Sequence, residues 1–224
     1  MSILKVKASG SVTKKPDKIL LMFKVTEEDK TYEDTLEKGC ELTSLFILSL
    51  SEYGLKKEDI KTNGFSIREI YVDVESKKDM FSNKTITKRE IDRYQFTQHL
   101  QTEMDLDLQK LSELVESTSK MKNPPKINIS FGLKDIENAK TEALEKAFIK
   151  CKEKAEVLAK ISGKQIKDCI EINYDVPYNY NSYTNCVCEE NSISKMRSAS
   201  LDLSSSIVPN DIEISENIIT IWEV

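Results

Sequence analysis

Asp135 to Gly163 reads DIENAKTEALEKAFIKCKEKAEVLAKISG, and its small residues decide the architecture. Ala139, Ala143, Ala147, Cys151, Ala155 and Ala159 recur at every fourth position, with Leu144, Phe148 and Leu158 beside them and Lys or Glu at most other places. Four-residue spacing sets side chains on successive turns of one helix face. A ridge of small side chains lets a helix backbone lie close to whatever it covers. The stretch therefore predicts a long helix, capped near Asp135 and ended by Gly163, docked on a β-sheet. Nothing along it looks like a catalytic group.

Strand patterns flank this helix. Ile127, Ile129, Phe131 and Leu133 alternate just before it, and Ile166 to Tyr174 reads as strand just after it. At the start of the chain Leu4, Val6, Ala8, Gly10 and Val12 alternate with polar residues, and Lys15-Pro16-Asp17 turns into a second strand over Ile19–Val25. Leu20 and Met22 predict that this strand is partly covered on both faces. Thr31 caps a helix expected over Tyr32–Tyr53, with Leu42, Leu45, Phe46, Ser49 and Leu50 inward and Gly54 ending it. Ile60–Val74 reads as strand with a phase slip, hence a bulge, near Arg68 and Glu69. Glu75–Arg89 reads as a polar hairpin tip.

In the return strand, Ile91–Met104, Tyr94, Phe96, Leu100 and Met104 face in, while Gln95, Thr97, His99, Gln101 and Glu103 face out. Asp107 caps a short helix with Leu108, Leu111, Leu114 and Val115 inward, and Asn123-Pro124-Pro125 breaks it. Residues 175–206, first Tyr/Asn-rich and then Ser-rich, read as a long mobile loop, and Ile207–Val224 closes the chain with one or two strands. The order β-β-α-β-β-α-β-α-β-β points to an α+β fold with antiparallel or mixed sheets and helices packed on one face. The 224 residues are read as one domain, with room for two lobes at about 1–75 and 91–224.

Composition narrows the function classes. A net charge of −5 with 32% charged residues argues against a general nucleic-acid binder, which needs a concentrated basic surface. The pairs Lys14-Lys15 and Lys56-Lys57 read as solvated turns. No run of about 18 apolar residues is present, so no membrane span is expected. The first residues enter a strand pattern with no signal-peptide core, and the five cysteines are an odd number. A cytoplasmic protein with reduced thiols is the expectation.

The chemistry candidates are few. His99 is the only histidine, with Gln101 and Glu103 at two-residue spacing beyond it; it is a candidate metal ligand or general base, against a plain surface role. Cys186-Val187-Cys188 is a candidate soft-metal or redox pair. Glu189 and Glu190 beside it disfavour the thiolates, and a structural zinc site needs a second ligand pair that the sequence does not offer. Asp105 and Asp107 could suggest a carboxylate pair, which capping explains more simply. Tyr174, Tyr178, Tyr180 and Tyr183 among asparagines have the adhesive composition of binding loops. No catalytic residue, metal site or cofactor site is assigned, and no cofactor is expected.

Five motifs resemble the SIMPL-domain proteins, the YggE-like (DUF541) family of bacteria, over nearly the whole length. They are Val6-x-x-x-Gly10-x-Val12 with Pro16-Asp17; Gly54-Leu55 through Asp59-Ile60-Lys61-Thr62; Asp107-Leu108-Gln109-Lys110-Leu111; Ile129 to Asp135 with the alanine-ladder helix; and Pro209-Asn210-Asp211-Ile212-Glu213-Ile214. Asn123-Pro124-Pro125 departs from the family's usual Gly-Ala. The resemblance implies a shared fold, no agreed enzymatic activity, a tendency to form homo-oligomers and a theme of oxidative-stress tolerance. The family name also implies association with a signalling partner protein. Self-association is expected at sheet edges, the terminal strand among them.

Overall fold

The computed structural model describes residues 2–78, 85–174, 184–186 and 207–224. The elements follow as β1 (Ile3–Lys14), β2 (Lys18–Asp29), α1 (Tyr32–Ser51), β3 (Lys61–Lys78), β4 (Thr85–Asp105), α2 (Leu108–Ser119), β5 (Lys126–Gly132), α3 (Ile136–Ile161), β6 (Cys169–Tyr174), β7 (Thr184–Cys186) and β8 (Ile212–Glu223). The fold is α+β, with two antiparallel sheets ordered β1-β8-β6 and β3-β4-β2-β5-β7. The chain divides into two compact units. One comprises residues 1–18, 131–185 and 209–224, the other 19–130 and 186–208.

In the first unit the alanine ladder is buried throughout. Ala139, Ala143, Ala147, Cys151, Ala155 and Ala159 are at most 2% exposed. From Ala139 to Ala155 they face Val6, Ala8 and Val12 of β1 and Ile212, Ile214, Ile218 and Trp222 of β8. Cys151 Sγ lies 3.8 Å from the carbonyl oxygens of both Val6 and Ile218, over the seam between the two strands. Gly10 takes the close approach to its limit: a Cβ there would stand 2.1 Å from the Ala143 carbonyl oxygen and 2.4 Å from the Ala147 nitrogen. Leu144 and Phe148 pack beside the ladder as the sequence predicts. Leu158 does not; it is exposed, because the ladder at Ala155 and Ala159 already fills the inward face at that end.

Local chemistry fixes both ends of this helix. Asp135 accepts from Asn138 N at 2.9 Å. Asp17 accepts from Lys134 N at 2.7 Å while its own N–H donates to Gly132 O at 3.0 Å. The Pro16-Asp17 turn thus clasps the approach to the helix. At the far end Gly163 adopts φ +73° and Lys164 N donates to Ala159 O at 2.9 Å, a left-handed helix stop.

The second unit uses the same device with an aromatic ring. Gly39 on α1 lies over Phe96 of β4, whose ring atoms would stand 2.4–2.7 Å from an added Cβ. Phe46 meets Phe23 of β2 edge-on at 4.9 Å. The buried stripe of α1 is Thr35, Gly39, Thr43, Phe46 and Leu50. Leu42 is half-buried and Leu45 exposed, contrary to the apolar stripe expected. The small residues set the angle at which this helix docks, and Leu45 falls outside it. Thr31 and Asp107 cap α1 and α2 as predicted.

Other boundaries moved. β3 and β4 run through much of the expected hairpin tip, to Lys78 and from Thr85, and only 79–84 lie outside the described residues. The register shifts at Ile70/Tyr71, beside the predicted bulge, and also at Thr62/Gly64 and Glu75/Lys77. Thr97 is buried, not outward. The loop expected over 175–206 lies outside the described residues except for β7. The terminal strand β8 is central in its sheet, hydrogen-bonded by β1 on one side and β6 on the other. Over Ile218–Trp222 both of its sides are hydrogen-bonded, by β1 and by β6.

Candidate functional site

His99, Cys186 and Asp107 lie on separate elements, β4, β7 and the start of α2. His99 is exposed on β4 opposite Gly64. Cys186 ends β7, and Cys188, Glu189, Glu190, Tyr178, Tyr180 and Tyr183 lie outside the described residues. Asp107 caps α2 through Gln109 N and Lys110 N. Among the described residues, no three His, Cys, Asp or Glu side chains come together as a metal cage.

One polar group escaped that reading. Glu216 occupies an inward position of β8, between Ile214 and Ile218, and is fully buried. It sits opposite Gly10 in the β1–β8 register, beside a position with no side chain. Tyr174, the last residue of β6, reaches across diagonally and donates its hydroxyl to Glu216 Oε2 at 3.1 Å. On α3 above them Lys140 pairs with Glu137 at 2.6 Å. The Glu137 hydrogen bond, with the charge of Glu216 adding to it, holds the Lys140 ammonium above its usual range. Burial and the Glu216 carboxylate together push the Tyr174 phenol up as well. A charged residue in a strict apolar alternation was the available signal: Ile212, Ile214, Glu216, Ile218.

The chemistry of this cluster is positional. A buried carboxylate is tolerable only when hydrogen-bonded and paired, so Glu216 ties the end of β6 to β8. Because the Tyr174 phenol is raised in the folded state, the folded form keeps its proton while the unfolded form loses it above pH about 10. Stability from this group is complete below that range and declines as pH rises through it. Tyr174→Phe is expected to flatten the alkaline fall in stability, read as urea midpoints across pH 9 to about 11. An unchanged slope would show that the phenol is not linked to folding.

The larger surface feature is apolar. In the first unit Ile170, Ile172 and Tyr174 of β6 are 54%, 55% and 42% exposed. In the second, Phe65, Tyr71, Val72, Val74 and Ile91 stand exposed on the β3–β4 hairpin. The bulge at Ile70/Tyr71 turns this hairpin, and the Tyr71 ring carries Arg89 4.9 Å above it. The Glu28 carboxylate, near the end of β2, accepts from Arg93 and Gln95. The hairpin thus runs on past β2 as a two-stranded arm, a form that is marginal in water without further packing.

Two open recesses lie among the described residues. One is lined by Asp59, Lys61, Gln101, Thr102 and Glu103, another by Thr26, Glu27, Glu28, Asn123 and Pro124. Among the described residues no helix is long and apolar enough to cross a membrane. A family model described as SIMPL, protein of unknown function (DUF541), matches residues 4–222. No curated protein matches the chain.

Proposed function

The chain belongs to the SIMPL family, and from that premise we propose that it is a non-enzymatic, self-assembling module that acts by binding or scaffolding. The observation that carries this reading is the apolar surface on its strands. Ile170 and Ile172 in one unit, and Phe65, Tyr71, Val72, Val74 and Ile91 in the other, are large side chains left in water at sheet margins. Large apolar side chains left exposed on strands support a surface that another chain covers.

The mass of the full chain tests it. Light scattering coupled to size exclusion is expected to give a mass above 25.6 kDa that grows with loading concentration until assembly is complete. A strict monomer at high concentration would remove self-assembly from the proposal. The stress-tolerance theme is part of the same reading: cells lacking the protein should be more sensitive to peroxide, and restored by the full chain.

A further inference from the structure

Among the described residues, β1, β6 and β3 are outer strands of their sheets, and they are treated unequally. β1, at one edge of its sheet, carries Lys5 and Lys7 outward, and Lys150 and Lys154 of α3 donate to the Ser9 and Lys7 carbonyls along it at 3.2 and 3.4 Å. β3, at an edge of the other sheet, is broken by three register shifts and carries Arg68, Glu69 and Asp73. These are the usual devices that stop an edge from recruiting another strand.

β6 has none of them over its regular part. It reads Cys169-Ile170-Glu171-Ile172-Asn173-Tyr174, with Glu171 its single charged residue. Its one register shift lies at its first residues, and from Glu171 to Tyr174 the pairing with β8 is regular. Ile172 and Tyr174 pair with Thr220 and Ile218, both buried, so they lie on the α3 side of the sheet. Yet they remain 55% and 42% exposed. Tyr174 is held in place by Glu216, which makes the strand end a fixed template.

We propose that β6 is the seam between two copies of this chain, joined as antiparallel strands with Ile172 on the twofold axis. This rests on the self-assembly reading above and names its partner and its surface. The register follows from the residues. An axis perpendicular to the sheet keeps like faces together, so it must pass through one residue of the strand. Placed at Glu171, it sets that carboxylate against itself; placed at Asn173, it sets Glu171 against Asp175. Placed at Ile170, it takes Tyr174 beyond the strand of the second copy. Placed at Ile172, it pairs Ile172 with itself, Ile170 with Tyr174 twice, and Glu171 with Asn173 twice. Apolar and aromatic cross-strand pairs then meet, and no like charges do. The two sheets become one six-stranded sheet, β1-β8-β6 continued by β6-β8-β1 of the second copy.

Sedimentation equilibrium of the full chain, with Ile172→Lys and Ile172→Thr beside it, tests the seam. Lysines facing each other across the axis should raise the dissociation constant at least about tenfold. Threonine, which keeps the β-branch, should weaken association less, with circular dichroism unchanged in both. A benzophenone amino acid in place of Asn173 should cross-link two chains, and peptide mapping should find the link within β6 of the second copy. A monomeric wild type overturns both this seam and the assembly reading. A wild type that assembles while Ile172→Lys assembles equally well overturns the seam alone. A cross-link confined to one chain, to its own 187–206 segment, shows that the chain covers its own edge and also overturns the seam.

Discussion

Gly10→Val is expected to be among the most damaging single substitutions in this chain, lowering stability by about 3–5 kcal/mol. The obstacle is backbone. A Cβ at residue 10 would meet the Ala143 carbonyl oxygen at 2.1 Å, the Ala147 nitrogen at 2.4 Å and the Lys146 carbonyl carbon at 3.0 Å. No rotamer change relieves such contacts, so α3 must lift away from β1. Lifting it loosens every rung of the ladder that buries Val6, Ala8, Val12 and Ile218. Gly10→Ala should go the same way with about half the effect. Urea unfolding gives the measurement, as a fall in midpoint at similar slope.

Gly163 and Gly54 supply the contrast. Both have positive φ, +73° and +81°, and nothing stands within 4 Å of an added Cβ. Alanine there meets only left-handed backbone strain, about 1–2 kcal/mol. If Gly10→Ala proves no worse than Gly163→Ala, close docking of α3 is not what holds this unit together.

The same distinction explains what the sequence could and could not reveal. The ladder was legible because six small residues at one spacing leave a single reading, and the caps at Thr31, Asp107 and Asp135 because capping is local. Pattern failed where docking is set by a small residue rather than a large one. Leu45 and Leu158 look inward by hydrophobicity and are exposed, while Gly39 and Thr43 look incidental and are buried. Thr97 was misplaced for a related reason, since alternation assigns polar residues outward whether or not a second layer covers them.

Sheet order was beyond any local pattern. Nothing in Ile212–Trp222 tells whether the strand lies at an edge or, as found, between β1 and β6. Glu216 was written plainly in that strand, but a charged residue among isoleucines has no meaning until Tyr174 and Lys140 are seen beside it. The candidate thiols and His99 were chosen by residue type alone. The apolar strand β6 was recognisable only once its pairing with β8 was seen.

The Gly39–Phe96 contact predicts a change of sign. Phe96 is fully buried, its ring lies against the Gly39 backbone, and Phe65 meets it edge-on at 5.3 Å. Phe96→Ala should cost about 3–5 kcal/mol, through lost burial and the cavity left between α1 and β4. In the wild-type background Gly39→Ala should also destabilise, by about 1–2 kcal/mol. Its methyl would fall 2.4 Å from the ring, and that overpacking exceeds the gain in helix propensity. With Phe96 already reduced to alanine, the obstacle is gone and the cavity receives the methyl. The remaining effect is the preference of a helix for alanine over glycine, about 0.8–1 kcal/mol in the stabilising direction. A double-mutant cycle by urea unfolding should therefore show Gly39→Ala harmful in one background and beneficial in the other, a coupling of about 2 kcal/mol. Additive values would mean that ring and glycine do not set the docking distance of α1. The short spacing would then have to come from Thr35, Thr43, Phe46 and Leu50, the other buried positions of that stripe.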